Sequence, residues 1–212
     1  MVEGSSISNS KINDIDRDAV TIIIPTLNEE EGIGLVIDEV RSMGYKNIIV
    51  VDGGSSDRTV EIARSKGVKV IFQKGKGKAD AIITGLKHVK TPYALVMDGD
   101  YTYPAKHIDE LYRKILEGYD EVIGVRTSGK GMGPIYKFGN KVLTSFFNML
   151  LGVKLRDVLS GMYIVRVDRL RDALFETRGF SIESEIATHI IGTSGKIAEI
   201  PITYRKRLGK KK

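Results

Sequence analysis

An apolar run that ends at two carboxylates places the strongest constraint on the fold of this chain. Residues Ala94 to Met97 are all apolar, and Asp98, Gly99 and Asp100 follow at once. Four apolar residues in a row are typical of a strand in a sheet that is covered on both faces. In an open α/β sheet, ligands bind just beyond the carboxyl ends of the strands. The pattern predicts a buried strand that presents both aspartates to a ligand, although an isolated Asp-x-Asp is more often a pair of solvated loop acids.

Strands and helices alternate through the first half of the chain. Segments at residues 20–24, 47–51, 68–72, 94–97 and 121–125 predict five strands, with helices between them. This alternation indicates a parallel sheet with right-handed crossovers. The predicted class is α/β, with a mostly parallel central sheet flanked by helices on both faces.

The second half is less regular, and its pattern predicts helices at residues 135–151 and 180–191 and strands at 162–167 and 197–204. No internal repeat or second independent domain is evident in the sequence.

The predicted domain organisation is simple. Residues 1–18 are rich in Ser, Asn and Asp and predict a disordered lead-in, residues 19–207 a single catalytic domain, and residues 208–212 a basic tail. The polar N-terminus does not resemble a signal peptide, and no stretch is long and apolar enough to span a bilayer. The chain stops within a lysine run, which leaves room for a membrane anchor in a missing C-terminal region.

Composition excludes several kinds of site. The 212 residues include no Cys and only three His, so disulfides, thiolate metal sites and a His-rich zinc site are not expected. The net charge is +6, and basic residues cluster in segment 205–212. Such a cluster favours anionic lipid headgroups or phosphorylated ligands. Nucleic acid is not a predicted partner, because aromatic residues are not interleaved with the basic ones.

Polar loops follow each of the first four predicted strands, at residues 25–29, 52–57, 73–78 and 98–100. The carboxyl ends of parallel strands lie at one edge of a sheet, so these loops are expected to surround one cleft. Asn28 and Asp57 are also predicted to cap the helices that follow.

The individual loops suggest separate tasks. Asp52 can accept hydrogen bonds from a nucleobase or ribose, although a turn aspartate is an equally good interpretation. Gly75 and Gly77 let the backbone approach a ligand closely, and Lys76 and Lys78 supply positive charge for phosphate. The spacing matches neither a Walker loop nor a Rossmann fingerprint.

Taken together, the four loops resemble the family-2 glycosyltransferases with the GT-A fold, and especially the polyprenol-phosphate (dolichol-phosphate) hexose synthases. The matching motifs are Ile-Ile-Pro-Thr-Leu-Asn-Glu-Glu at 23–30, Val-Val-Asp-Gly-Gly-Ser-Ser-Asp-Arg-Thr at 50–59, Gly-Lys-Gly-Lys-Ala at 75–79 and Val-Met-Asp-Gly-Asp at 96–100, extended by segments 122–126, 160–162 and 201–207. The resemblance covers about residues 20 to 212.

The resemblance implies a nucleotide-sugar site made from the first four loops. Its residues would be Pro25, Thr26, Asn28, Glu29, Asp52, Gly54, Lys76, Gly77, Lys78, Asp98, Gly99 and Asp100. Among them, Pro25, Glu29 and Asp52 would hold the base and ribose, and Asp98 and Asp100 would form the Asp-x-Asp that binds Mg²⁺ or Mn²⁺.

The resemblance also implies an acceptor side. Its residues would be Arg126, Lys137, Ser160, Gly161 and Arg207, and the catalytic set would be Asp98, Asp100, Arg126 and Arg207. Gly99 stands where the family has Ala, and Thr102 stands where it often has Gln. These departures leave metal binding intact and leave the identity of the sugar open.

The predicted function is metal-dependent, inverting transfer of a hexose or N-acetylhexosamine from a nucleotide sugar to a polyprenyl or dolichyl phosphate. A UDP-sugar is favoured over GDP-mannose because the Asp98–Pro104 segment resembles that of family members that use UDP-hexose or UDP-N-acetylhexosamine. An acceptor phosphate with a second pKa of about 6 is already a dianion at neutral pH, so a general base is not required. The roles of Glu183 and Glu185 stay open between metal support, a base and ordinary helix-start acids.

The expected location is cytoplasmic, at the cytoplasmic face of a membrane. Segment 136–151 mixes apolar residues with Lys137 and Lys141, which suits a helix resting on an anionic membrane surface. A core-packing helix is an equal alternative.

Other functions compete with this one. The string Asp98-Gly-Asp-Tyr-Thr102 also spells the Asp-x-Asp-x-Thr of haloacid-dehalogenase-like phosphohydrolases, although there it follows the first strand. A metal-free binding module, a nucleotidyltransferase and a glycosyltransferase with a non-lipid acceptor are the remaining alternatives.

Overall fold

The computed structural model describes residues 15–128, 134–175 and 181–209. Its strands are β1 (Val20–Thr26), β2 (Ile48–Asp52), β3 (Lys69–Phe72), β4 (Tyr93–Val96), β5 (Glu121–Ser128), β6 (Tyr163–Arg166) and β7 (Ile197–Thr203). Its α-helices are α1 (Ile33–Ser42), α2 (Thr59–Ser65), α3 (Gly77–Leu86), α4 (Ile108–Leu116), α5 (Pro134–Leu151) and α6 (Ile182–Gly192). Short 3-10 turns lie at Arg17–Ala19, Ala105–His107 and Val167–Leu170.

The described strands form one sheet in the order β3-β2-β1-β4-β6-β5-β7. β1 pairs in parallel with β2 and β4, β2 in parallel with β3, and β5 in parallel with β7. β6 is antiparallel to both of its neighbours, β4 and β5. The predicted α/β class with a mostly parallel sheet is confirmed, and the first four strands present their carboxyl ends at one edge.

Both faces of the sheet are buried, as the apolar runs predicted. In β1, Ile22 and Ile24 belong to a core cluster shared with α1 and α4, while Ile23 belongs to a second cluster shared with α3 and α6. All three are fully buried. Successive side chains of a strand point to opposite faces, so an uninterrupted β-branched run fits a strand covered on both sides.

The start of α1 differs from the sequence prediction. Asn28 has a φ of 52° and does not cap the helix; its side-chain oxygen accepts a hydrogen bond from the Ser56 N–H at 2.6 Å. The helix begins at Ile33, where a Cβ on the preceding Gly32 would lie 2.7 Å from the Gly99 carbonyl oxygen. Close packing against the Asp-x-Asp loop therefore favours glycine at this position. The N-cap residue of α2 is Arg58, one residue later than predicted, although the carboxylate of Asp57 accepts from the N–H of Thr59 at 3.0 Å.

Ordered structure extends, contrary to the prediction, into the last residues of the segment 1–18 that the sequence assigned to a disordered lead-in. Arg17 lies in a 3-10 turn and donates to Asp109 at 2.6 Å, and Ile15 packs against the core. The rest of the predicted lead-in, residues 1–14, lies outside the described residues, as do residues 210–212 of the predicted tail.

Candidate active site

The carboxyl edge of the sheet and the N-terminus of α3 surround a cleft of about 510 Å³. Its lining residues are Pro25, Thr26, Leu27, Glu29, Gly53, Gln73, Lys76, Gly77, Lys78, Ala81, Asp98, Gly99, Asp100 and Arg207. All four loops that the sequence singled out reach this cleft, so the prediction that they surround one site is confirmed.

A local turn fixes the carboxylate of Asp100. Its Oδ1 accepts hydrogen bonds from the N–H of Thr102 at 3.1 Å and from the Thr102 hydroxyl at 2.5 Å. Its Oδ2 lies 3.3 Å from Nη1 of Arg207. Thr102 is itself buried, so the residue that replaces the family's Gln orients the second aspartate of the pair.

Asp98 has different partners from Asp100 and is more exposed, with its side chain 26% exposed against 9% for Asp100. Its Oδ1 lies 2.7 Å from Nζ of Lys78, which also lies 2.8 Å from Oε1 of Glu183 on α6. A Cβ added to Gly161 would lie 2.5 Å from Oδ2 of Asp98. The carboxylate is therefore enclosed between a lysine and a backbone that tolerates no side chain.

The surroundings shift the pKa values of this ion pair. Burial raises the pKa of Asp98 and outweighs the opposite effect of Lys78, and the charge of Asp100 raises the pKa further. For Lys78, burial acts to lower the pKa, but the carboxylates of Asp98 and Glu183 hold the pKa well above its ordinary value. Lys78 is thus a cation at neutral pH.

Gly99 separates the two aspartates for a steric reason. A Cβ at this position would lie 2.7 Å from Cγ2 of Thr26 and 3.3 Å from Cγ2 of Ile24. The β-branched residues of β1 therefore occupy the space that an alanine would need, which accounts for the departure from the family pattern.

The segment that follows β7 lies across the Asp-x-Asp loop. The N–H of Arg205 donates to the Thr102 carbonyl at 2.8 Å, and the N–H of Leu208 donates to the Asp100 carbonyl at 3.2 Å. Arg207 pairs with Glu29 as well as with Asp100. Arg207 thus belongs to the wall of the cleft, and Leu208, which the sequence assigned to a basic tail, is bonded to the Asp-x-Asp loop.

Three residues predicted to bind the nucleotide do not line the cleft. Asp52 is fully buried and accepts from the N–H groups of Gly54 at 2.9 Å and Ser55 at 2.8 Å. Gly54 has a φ of 91°, which this tight turn requires, and Asn28 joins the loop through Ser56. In this structure, Asp52, Gly54 and Asn28 stabilise the conformation of the loops that follow β1 and β2.

Two of the predicted acceptor residues have partners within the protein. The guanidinium of Arg126 lies 2.7 Å (Nε) and 2.6 Å (Nη2) from the carboxylate of Asp157, and the Ser160 hydroxyl donates to the Gly124 carbonyl at 2.5 Å. These contacts brace the loop that carries Gly161, and the acceptor roles of Arg126 and Ser160 stay predictions. Lys137 lies in α5, and its side chain is outside the described part of the chain.

Some site contacts had no counterpart in the sequence analysis. The N–H of Gly161 donates to the Tyr103 hydroxyl at 2.8 Å, and the Gln73 amide donates to the carbonyls of Gly75 at 3.1 Å and Gly77 at 3.3 Å. The sequence leaves the role of Glu183 open and does not predict its contact with Lys78. No local signal identifies the contacts of Gly161 with Tyr103 and of Glu183 with Lys78, since they join elements far apart in the sequence.

The two aspartates fit a divalent cation. Carboxylate oxygens suit Mg²⁺ and Mn²⁺, and Mg²⁺ is usually bound by one or two carboxylates together with substrate phosphates. Among the described residues, no group of three or more His, Cys, Asp or Glu side chains is placed to hold a metal ion. Asp98 and Asp100, which both line the cleft, are the residues that would hold it.

A buried acid lies behind this site. Glu121, at the start of β5, is 1% exposed, and in the described structure its Oε2 and the hydroxyl of Tyr163 are buried without a hydrogen-bond partner. Burial, with a smaller contribution from the charge of Glu183, raises the pKa of Glu121 to about 8. The folded protein therefore keeps this carboxyl protonated at neutral pH.

This raised pKa predicts a stability that depends on pH. The folded pKa of Glu121 lies above the unfolded value of 4.5. The contribution of this carboxyl to the free energy of unfolding is therefore complete below pH 4.5 and is lost as pH rises through about 8. The slope is at most about 1.4 kcal/mol per pH unit. In urea denaturation from pH 5 to 8, Glu121→Gln should gain stability relative to the wild type as pH rises. The exposed variant Glu117→Gln should show a constant difference, and a constant difference for Glu121→Gln would contradict the prediction.

A second cavity, of about 730 Å³, lies between α5 and α6. It is lined by Leu143, Phe146, Phe147, Leu150, Leu151, Val158, Leu159, Leu174, Phe175, Ser181, Ser184, Glu185, Thr188 and His189. The outer side of α5 is also apolar, with Phe138 and Met149 more than half exposed. Within the described residues, no helix has the length and apolar character needed to cross a membrane.

Comparison with known proteins identifies the class of protein. The sequence profile of glycosyl transferase family 2 matches residues 21–173, and the chain belongs to this family. Among curated relatives, the glycosyltransferase AglJ of Haloferax volcanii is 37% identical over 194 residues, which are 90% of this chain and 64% of AglJ. The chain thus spans less than two thirds of that relative.

A further relative has a more specific name. The dolichyl-phosphate hexose transferase of Haloferax volcanii is 34% identical over 200 residues, which are 92% of this chain and 86% of that protein.

A solved structure confirms the GT-A fold. Glucosyl-3-phosphoglycerate synthase from Mycobacterium tuberculosis, in complex with Mn²⁺, UDP-glucose and phosphoglyceric acid, superposes with a TM-score of 0.74 at 23% identity and covers 91% of this chain and 72% of its own. The predicted fold and family are therefore both confirmed.

Proposed function

We propose that this protein transfers a hexose or N-acetylhexosamine from a nucleotide sugar to a polyprenyl or dolichyl phosphate, with inversion at the anomeric carbon. The observation that carries the proposal is the meeting of Asp98, Asp100 and the basic N-terminus of α3 in one cleft of a family-2 chain. The relative named dolichyl-phosphate hexose transferase supports the lipid acceptor.

The donor's diphosphate fits the N-terminus of α3. Gly77, with a φ of 83°, opens the helix, and Lys76 lies beside it at the cleft. Backbone N–H groups and the helix dipole favour an anion at this position. A divalent cation held by Asp98 and Asp100 would neutralise charge on the departing diphosphate. A uridine nucleotide is preferred over guanosine, and the Mn²⁺ and UDP-glucose complex of the mycobacterial synthase supports that choice.

The acceptor's apolar chain fits the cavity between α5 and α6. Val158 and Leu159 line this cavity, and Gly161, which follows them closely, abuts Asp98 in the cleft. The loop of residues 158–161 therefore contacts both the cavity and Asp98 of the cleft. A phosphate placed at the junction would be a dianion at neutral pH and could attack the anomeric carbon without a general base, while its isoprenoid chain lies in the apolar cavity.

The outer face of α5 fits a membrane surface from which such an acceptor would be taken. Phe138 is 71% exposed and Met149 is 73% exposed, and α5 contains two lysines and no acidic residue. A helix of this kind lies in the interface of an anionic bilayer. The proposed location is therefore the cytoplasmic face of a membrane, where nucleotide sugars are available.

Polar substitutions on this face should reduce membrane binding. The variant Phe138→Ser/Met149→Ser should bind vesicles containing anionic lipid about thirtyfold more weakly in a sedimentation assay, since each lost apolar side chain removes about 1 kcal/mol of burial. The matched control is Leu116→Ser, which changes a half-exposed leucine of α4. Equal sedimentation of the double variant and the control would refute the membrane role of α5.

A direct transfer assay tests the proposed function. The protein is incubated with UDP- or GDP-sugars, Mn²⁺ and a short polyprenyl phosphate, and the glycolipid and its anomeric configuration are measured. Retention of the donor configuration would overturn the single-displacement mechanism. Hydrolysis of a generic phosphomonoester without any transfer would instead favour the phosphohydrolase alternative.

A further inference from the structure

An ion bridge centred on a partly exposed lysine links the Asp-x-Asp loop to α6. Nζ of Lys78 lies 2.7 Å from Oδ1 of Asp98 and 2.8 Å from Oε1 of Glu183. Lys78 is in the first turn of α3, and Glu183 is in the first turn of α6 and only 6% exposed. The amino group thus lies between two carboxylates rather than extending into solvent.

The bridge makes the two aspartates unequal. Asp98 has an ammonium group at one oxygen and the backbone of Gly161 against the other, whereas Oδ2 of Asp100 has Arg207 at 3.3 Å. An incoming cation can therefore reach Asp100 after a small displacement of Arg207. At Asp98 it meets a fixed positive charge that is already in contact with the carboxylate.

We propose that Lys78 is a positioning residue that acts as a built-in counter-ion of Asp98, that Glu183 holds Lys78 in place, and that this pair sets how strongly the two aspartates bind a divalent cation. The inference rests on the proposed function, because the cation is the one that the donor diphosphate would share. Removing the charge of Lys78 leaves three carboxylates facing one another, and removing the charge of Glu183 leaves Lys78 to neutralise Asp98 alone. The two changes therefore act on cation affinity in opposite directions.

Mn²⁺ binding to the enzyme in the presence of UDP, followed by electron paramagnetic resonance of free Mn²⁺, tests the inference without any turnover. Lys78→Met should bind Mn²⁺ about tenfold more tightly than the wild type, and Glu183→Gln about threefold or more weakly. Lys78→Arg should restore the wild-type affinity to within about threefold. In transfer assays Lys78→Met should also lose kcat despite its tighter cation binding, because Asp98 is no longer held in position.

A charge-balanced double variant keeps the test decisive if Lys78→Met alone does not fold. Lys78→Met/Glu183→Gln removes one positive and one negative charge, so its Mn²⁺ affinity should stay within about threefold of the wild type. An affinity outside that range overturns the inference, as does weaker or unchanged binding by a folded Lys78→Met variant.

If the wild type binds no Mn²⁺ at all, the proposed cation site is wrong, and so is the metal step of the proposed function. If the wild type binds Mn²⁺ and transfers sugar while Lys78→Met keeps its affinity, only the inference fails.

Discussion

Replacing Asp100 with Asn should lower the rate of glycosyl transfer about a thousandfold. The asparagine keeps the size of the side chain, and its oxygen can still accept from the N–H and hydroxyl of Thr102, which now lie 3.1 and 2.5 Å from the carboxylate. What it loses is the negative charge beside Arg207. A bound cation contributes several kcal/mol of charge stabilisation in the transition state, and about 4 kcal/mol corresponds to about a thousandfold in rate.

The measurement is kcat/KM for the UDP-sugar at saturating Mn²⁺, together with thermal denaturation to confirm folding. Asp168→Asn is the matched control, since Asp168 is a half-exposed aspartate paired with Arg166 at 2.7 Å on the surface; it should leave the rate unchanged. A folded Asp100→Asn enzyme that keeps more than about a tenth of the wild-type rate would refute the role assigned to this carboxylate.

The sequence predicted the position of Asp100 well for a simple reason. The uninterrupted apolar residues of β1 and β4 require burial on both faces, and parallel strands that alternate with helices must end at the same edge. Loops that follow such strands are therefore brought together whatever their own conformation. This argument needs only short-range patterns, and it accounts for the agreement in fold class and in the residues that line the cleft.

The sequence did not predict which residues the site's charged groups would contact. Arg126 matches a phosphate-binding position, but Asp157, far along the chain, accepts from it in a two-pronged ion pair. Asn28 has the residue type of a helix cap, yet hydrogen bonds from the β2 loop draw it away from α1. In both cases a partner distant in sequence outweighs a local preference, and a single sequence does not identify that partner.

The pairing of the antiparallel strand β6 also depends on partners that the sequence does not identify. It lies between β4 and β5, and its position brings Gly161 against Asp98. The segment itself predicts a strand, but its apolar residues do not indicate which neighbours it pairs with or in which direction. The role of Gly161 in the site therefore follows from sheet topology alone.

Replacing Gly161 with Ala should lower the rate of transfer about a hundredfold. The added Cβ would lie 2.5 Å from Oδ2 of Asp98 and 2.9 Å from Nζ of Lys78. Neither atom can stay in place, so the carboxylate must move relative to Asp100. A displacement of about 1 Å in a positioned group costs about a hundredfold in rate.

The matched control is Gly192→Ala at the end of α6, where an added Cβ meets no atom within 4 Å. Its transfer rate should equal that of the wild type. Rates measured for Gly161→Ala well below its melting temperature separate loss of geometry from loss of folded protein. The enlarged separation of the aspartates should also weaken Mn²⁺ binding, because a cation cannot reach both. Wild-type rate and Mn²⁺ affinity in Gly161→Ala would mean that the contact with Asp98 has no part in holding the site together.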